Sequence, residues 1–349
     1  RERNLAFATL GIVAGTGAAI VLLLGGVLTE FANWRWCLLV NVFFVAVGLI
    51  AGAILLRESR AEGNNRYDWW GAFTVTLGIG SLVYGFTLAE RGWTKIDTVS
   101  FIAVGIALLI AFVLIEQRVK QPLLPLRVIV NRVRGGAVLI QAVIGAVMIG
   151  SMLYLTFYFQ IVMGMGPLVA GFANLAMTVV ILAFSPVTTM LLNRFGPRPL
   201  MIGGPLLAAA GLLALLRITP AGNYFTEVLP ALVVLGIGMS MLFVPIQNLA
   251  LTGVDPEDAG VASAAVNSAF HIGGSIGLAL FTVLYASTAA TALDGGATQA
   301  LAFTEGYKAA FLASGAAMLL AAAIGFFMIK GTRAELMPAR EDEYAGATE

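Results

Sequence analysis

Gly15-Thr-Gly-Ala-Ala-Ile-Val-Leu-Leu-Leu-Gly-Gly26 is the stretch that decides how this chain is read. Gly15, Gly17, Gly25 and Gly26 punctuate a run made mostly of Ala, Ile, Val and Leu. In a water-exposed helix each such glycine costs about 1 kcal/mol against alanine. In a bilayer the same residues are useful, because helices there associate by close backbone approach and small side chains permit it. The run therefore reads as a transmembrane helix with a contact seam. A neighbouring bundle would sit or slide on that seam; the plainer alternative is a tight helix pair with no moving part.

The rest of the chain agrees with a membrane setting. Of 349 residues 59% are hydrophobic and 11% charged, and the mean hydropathy is +0.92. Soluble domains run nearer about 45–50% apolar and about 25% charged. A bilayer crossing needs ~20 mainly apolar residues. Ten stretches qualify, near 5–28, 36–56, 69–89, 99–115, 135–163, 168–192, 200–216, 229–249, 260–286 and 307–329. Their interiors carry no Asp, Glu, Lys or Arg. Backbone groups in hydrocarbon must bond within their own segment, so these are helices. They lack the period-two alternation of barrel strands. The expected class is an all-α polytopic membrane protein.

Lysine and arginine set the orientation. With Arg1 and Arg3 inside, fifteen basic residues fall on that side and five (Arg35, Arg91, Lys95, Arg217, Lys308) on the other. Both ends of the chain are thus expected in the cytoplasm, with the protein multi-pass in the cell (plasma or inner) membrane. Trp34, Trp36, Trp69, Trp70 and Trp93 sit near span ends, as interfacial anchors do. A net charge of +1 argues against nucleic acid as a partner. One cysteine (Cys37) and one histidine (His271) exclude an internal disulfide and a cysteine- or histidine-based metal site, and no cofactor is expected.

The glycine run also resembles a specific element. Gly17, Gly25-Gly26, Trp34-Arg35-Trp36 and Asn41-Val42 are similar to the fifth helix and following loop of drug:proton antiporters. The branch is the fourteen-helix, EmrB/QacA-type part of the major facilitator superfamily. Two departures are visible: Val21-Leu22 stands where the family pattern has Gly-Pro, and Phe43 where it usually has Pro. Tyr154-Leu-Thr-Phe-Tyr-Phe-Gln160, with Gly164, Pro167 and Ala170-Gly171, resembles the family's opening of its C-terminal bundle. Asn193-Arg-Phe-Gly-Pro-Arg-Pro199 resembles its basic cytoplasmic turn, so that Arg194, Gly196 and Arg198 are candidate gating residues. Val254-Asp-Pro-Glu-Asp-Ala-Gly260, then Ala262-Ser263, resembles a further family segment. Read physically, Asp255-Pro256 starts a helix.

The resemblance implies an organisation. Residues 1–58 would be the last two helices of an N-terminal bundle, 59–117 an inserted helix pair, and 118–134 a basic cytoplasmic linker. Residues 135–331 would form a six-helix C-terminal bundle, and 332–349 a disordered cytoplasmic tail. The chain would then hold the last ten of fourteen helices, truncated at its N-terminal side.

Polar residues inside spans point to function, because each must face a bundle interior or a wet cavity. Gln141, Tyr154, Asn174, Gln247, Asn248, Asn267 and His271 form the candidate substrate cavity. Ser263, Asn267 and His271 share one helix face at i, i+4, i+8. Hydrogen bonding between helices, worth about 0.6–2 kcal/mol a pair, would explain the same residues without any cavity. His271 is the one span residue suited to titrate near neutral pH; packing in a satisfied polar cluster is its expected role. The implied function is proton-coupled efflux of amphipathic drugs or other small molecules, by two bundles rocking about a midplane site. Its partners would be that substrate, protons and the lipid bilayer. Export of an endogenous lipid, siderophore or metabolite fits the same fold. A non-transporting sensor or scaffold is a remoter alternative. An intramembrane enzyme is not expected, since the spans offer only His271 and scattered serines.

Overall fold

The computed structural model describes residues 24–55, 68–89, 92–119, 131–252, 254, 259–331 and 333–336. Residues 24–31 are helical. After them come α1 (Trp34–Leu55), α2 (Trp69–Leu88), α3 (Ile96–Glu116) and α4 (Arg132–Phe157). Then follow α5 (Pro167–Phe195), α6 (Pro197–Ala214), α7 (Leu229–Leu251), α8 (Ala259–Asp294) and α9 (Gln299–Met328). A short α10 (Arg333–Leu336) ends the described chain. Nine of these helices are long and apolar enough to cross a membrane, and no strand occurs among the described residues. The expected first span lies mostly outside the described residues.

Helix starts follow local chemistry. Asn131 caps α4 by accepting from the Val133 and Arg134 amides at 3.0 and 3.4 Å. Asp68 caps α2 and Thr298 caps α9 in the same way. Pro167 and Pro197 occupy the first turns of α5 and α6, where a missing N–H costs nothing.

Helices α4 to α9 pack into one bundle, and glycines set its closest crossings. A Cβ at Gly211 of α6 would lie 2.6 Å from the Leu235 amide nitrogen of α7. One at Gly236 of α7 would lie 2.9 Å from Val180 Cβ of α5. Gly145 of α4 abuts the Phe270 carbonyl of α8, and Gly273 and Gly277 of α8 abut Ala142 and Ala146 of α4. The Gly273-x-x-x-Gly277 spacing thus works as a helix-contact motif. Helices α2 and α3 form a separate close pair through Gly85 against Ile102 and Gly105 against Leu82, and α2 also touches α8. Helix α1 buries none of its residues.

Several helices overrun their expected spans, since a helix continues through polar turns once it leaves hydrocarbon. Helix α8 runs 36 residues, about 54 Å at ~1.5 Å per residue. Helix α9 begins at Gln299 rather than near residue 307. Helix α4 takes in Arg132 and Arg134, which donate to the carbonyls of Phe327 and Thr252. The tail corrects one expectation. Residues 333–336 are not disordered: Leu336 is buried, and its carbonyl accepts the Thr252 hydroxyl at 2.9 Å. Burial of the apolar Leu336 side chain outweighs the charged composition around it. The expected helix start at Asp255-Pro256 lies outside the described residues.

Candidate functional site

The polar residues of the six-helix bundle fall into two layers. Gln141 is the tenth residue of α4 and Asn267 the ninth of α8. At ~1.5 Å per residue both sit about 12–14 Å from the end carrying Arg132, Arg194 and Arg198. Gln247 and Asn248 lie near the same end of α7. Gln247, Asn248, Asn267 and His271 are exposed on the bundle surface. The Asn267 amide donates only along its own helix, to the Ser263 carbonyl at 3.1 Å. Gln141, by contrast, is 4% exposed, and its Oε1 has no hydrogen-bond partner.

His271 corrects an expectation. Its ring is not packed in a polar cluster but exposed, edge-on to Phe270 at 5.5 Å. Its helix turns that face outward because the opposite glycine face, Gly273 and Gly277, is taken up by α4.

The second layer lies toward the other end. Asn174 of α5 donates to Thr156 Oγ1 at 3.0 Å and to the Ala170 carbonyl at 3.2 Å, and leaves its buried Oδ1 without a partner. The Tyr154 hydroxyl donates to Thr282 Oγ1 at 2.7 Å. The Tyr154 ring lies 5.5 Å from Tyr285 and 6.1 Å from Tyr307, and the latter two stack at 5.0 Å. Tyr154 and Asn174 are therefore built into the bundle's packing. Thr156, the partner of Asn174, is fifteen residues beyond Gln141 on α4, roughly 22 Å along the axis. The structure brings Gln141, Gln247, Asn248, Asn267 and His271 to one depth range, and keeps Tyr154 and Asn174 at another.

The basic turn is locally determined. Gly196 holds φ at +78°, a left-handed conformation that glycine adopts without strain, and its amide donates to the Leu192 carbonyl at 2.9 Å. That reversal sends Pro197 straight into α6 and leaves Arg194 exposed, its guanidinium 5.2 Å from the Phe195 ring centre. Arg198 is half-buried.

Of the glycine-rich helix, Gly15 and Gly17 lie outside the described residues. A Cβ at Gly26 would stand 3.0 Å from Leu168 Cα and 3.3 Å from the Pro167 carbonyl oxygen, whereas at Gly25 nothing lies within 4 Å. The two adjacent glycines are thus unequal. Trp34 and Trp36 are exposed, and Arg35 stacks on Trp34 at 4.7 Å. Sequence reasoning missed Glu30. The helix runs past the apolar stretch to include it, and its Oε2 accepts the Leu168 amide at 3.2 Å. Its signal was a carboxylate one turn beyond Gly26, facing a helix that opens Gly166-Pro167 without a capping side chain. Among the described residues no group of three or more His, Cys, Asp and Glu is placed to hold a metal.

Residues 1–278 match the family model of the Major Facilitator Superfamily. The chain belongs to the major facilitator superfamily. It is accordingly a multi-pass membrane protein of a transporter family. Among its superfamily relatives is the puromycin resistance protein pur8 of Streptomyces alboniger, 37% identical over 335 residues, covering 94% of this chain and 67% of the relative. The tetracenomycin C resistance and export protein of Streptomyces glaucescens is 30% identical over 287 residues, 81% of this chain and 53% of the relative. The cephamycin export protein CmcT of Amycolatopsis lactamdurans is 32% identical over 296 residues, 82% of this chain and 60% of the relative. The chain thus spans 53% to 67% of the length of these relatives.

Proposed function

We propose that this chain is the major part of a proton-coupled efflux transporter for amphipathic small molecules. One observation carries the reading. Gln247, Asn248, Asn267 and His271 are exposed on helices long and apolar enough to cross a membrane. Uncharged polar groups facing acyl chains are costly, so such residues belong beside a water-filled path or against another part of the protein. Relatives named for antibiotic resistance and export support efflux over uptake.

In this reading the chain supplies the last ten of fourteen helices in the EmrB/QacA-type branch. Residues 1–58 belong to the N-terminal bundle, 59–117 form the inserted pair, 118–134 the linker and 135–331 the C-terminal bundle. The bare surface of α1 and the 53% to 67% coverage of the relatives support further helices packing there in the whole protein. Both ends of the chain face the cytoplasm, so the end of the bundle that carries Gln247, Asn248, Asn267 and His271 lies toward the cytoplasmic side and admits substrate from within. The uncharged amides and the single imidazole offer hydrogen bonds without selecting one charge, which suits varied ligands. The turn at Arg194, Gly196 and Arg198 sits at the cytoplasmic gate.

Ethidium efflux from vesicles holding the full-length protein tests this under an imposed proton gradient. Replacing Gln247 and Asn267 together by leucine lowers the rate severalfold while the protein stays folded, because both sites are exposed. Unchanged gradient-driven efflux in that variant, or no gradient-dependent efflux of any tested cation in the parent, would refute the proposal.

A further inference from the structure

Among the described residues, the helix of residues 24–31 meets the start of α5 through Gly26 and Glu30, and the chemistry there is that of a clasp. Helix α5 opens with Gly166, which has no side chain to cap it, and Pro167, which has no N–H. Leu168 therefore carries the first free amide of the helix, at the positive end of the dipole. Glu30, 138 residues earlier in the chain, accepts that amide through Oε2 at 3.2 Å. Both carboxylate oxygens also stand over Gly166, 3.1 and 3.3 Å from where its Cβ would be.

A second observation fixes the approach. Gly26 lies one turn before Glu30 on the same helix face. It is the buried residue of that turn, against Leu168 Cα and the Pro167 carbonyl. A side chain at position 26 would push the helices apart and carry Glu30 out of reach. The neighbouring Thr29 hydroxyl is turned back on its own helix, bonding the Gly25 carbonyl at 2.7 Å. The hydrogen bond at 3.2 Å is at the long end of the usual range, and Glu30 is exposed to solvent, so the contact is weak enough to break repeatedly.

We propose that Glu30 is a latch: it caps α5 from another part of the chain and holds shut the end of the membrane domain opposite the Arg194–Arg198 turn. This rests on the alternating-access reading above, because a latch matters only if the first helix and the six-helix bundle separate during the cycle. In the state in which the outer end opens, Leu168 loses its cap and Gly26 leaves the α5 backbone. The carboxylate thus biases the resting protein toward the outward-closed form and sets how readily it opens.

The test measures distances between spin labels in the full-length protein in lipid nanodiscs. Cys37→Ala, with any cysteine outside this chain also replaced, leaves Val27→Cys and Val169→Cys, both at exposed positions, to carry the labels. The parent shows a major short and a minor long distance. Glu30→Ala shifts the ratio toward the long one by about tenfold, and Glu30→Gln, which keeps an acceptor but loses the charge, by about threefold. Gly26→Leu shifts it the same way with Glu30 intact, and each variant's melting temperature is checked against the parent's. Two populations in the parent with ratios in Glu30→Ala and Glu30→Gln within twofold of it overturn the latch alone. A single short distance in every protein, with or without ethidium, overturns the latch and alternating access together.

Discussion

Replacing Gly273 by alanine should loosen the bundle, and the size of the effect follows from the crossing of α4 and α8. The added methyl would fall on the Ala142 carbonyl of α4, and Gly145 one turn along α4 stands in the same relation to the Phe270 carbonyl. These are backbone atoms and cannot rotate away. Restoring an ordinary ~3.5 Å contact requires the two helices to part by roughly 1–1.5 Å. Overpacking of this kind costs about 1–3 kcal/mol. Alanine's better helix propensity returns at most about 1 kcal/mol, measured in water. The expected net loss is about 1–2 kcal/mol for Gly273→Ala, and a similar loss for Gly145→Ala. Thermal melting in detergent, read on Gly80→Ala and Gly48→Ala as controls, isolates the crossing, since nothing lies within 4 Å of a Cβ at either control site. The controls should match or slightly exceed the parent. If Gly273→Ala melts with the controls, the close crossing does not exist in solution.

Two further expectations follow from single side chains. Tyr154→Phe removes the hydroxyl that bonds Thr282 while keeping the aromatic packing. It should cost about 0.5–1.5 kcal/mol of stability with little change in ethidium efflux; a large loss of efflux at full stability would instead make Tyr154 part of the path. Gly196→Ala places a Cβ at φ +78° and should destabilise by about 1–3 kcal/mol, visible as a lower melting temperature, whereas an unchanged melt would mean the turn relaxes without strain.

What could be read from the chain alone was whatever depends on local composition. Twenty apolar residues in a row demand a helix whatever surrounds them, so α3, α6 and α9 were legible from runs such as 99–115. Helix ends were less so, because outside hydrocarbon a helix stops for capping reasons: Asn131 starts α4 within a basic segment, and α9 starts at Gln299 behind Thr298. The seam was visible as glycine, but its asymmetry was not. Gly25 and Gly26 are identical as letters, and only the position of Leu168 separates them. The polar residues were legible as candidates, yet burial divided them. Asn174 and Gln247 look alike in sequence; one is locked to Thr156 inside the bundle and the other is exposed. Glu30 escaped notice because its meaning depends on an amide 138 residues away.

The reach of α8 has a practical corollary. Even steeply inclined, a rod of 36 residues outspans ~30 Å of hydrocarbon, and α9 runs back beside it from a cap at Thr298. The adjoining ends of α8 and α9 therefore reach past the hydrocarbon as a spur edged by Ser287, Thr291 and Glu305. An antibody fragment raised against that spur would grip a rigid polar landmark far from Gln247 and Asn267. It would add bulk and orientation for single-particle imaging without covering either residue.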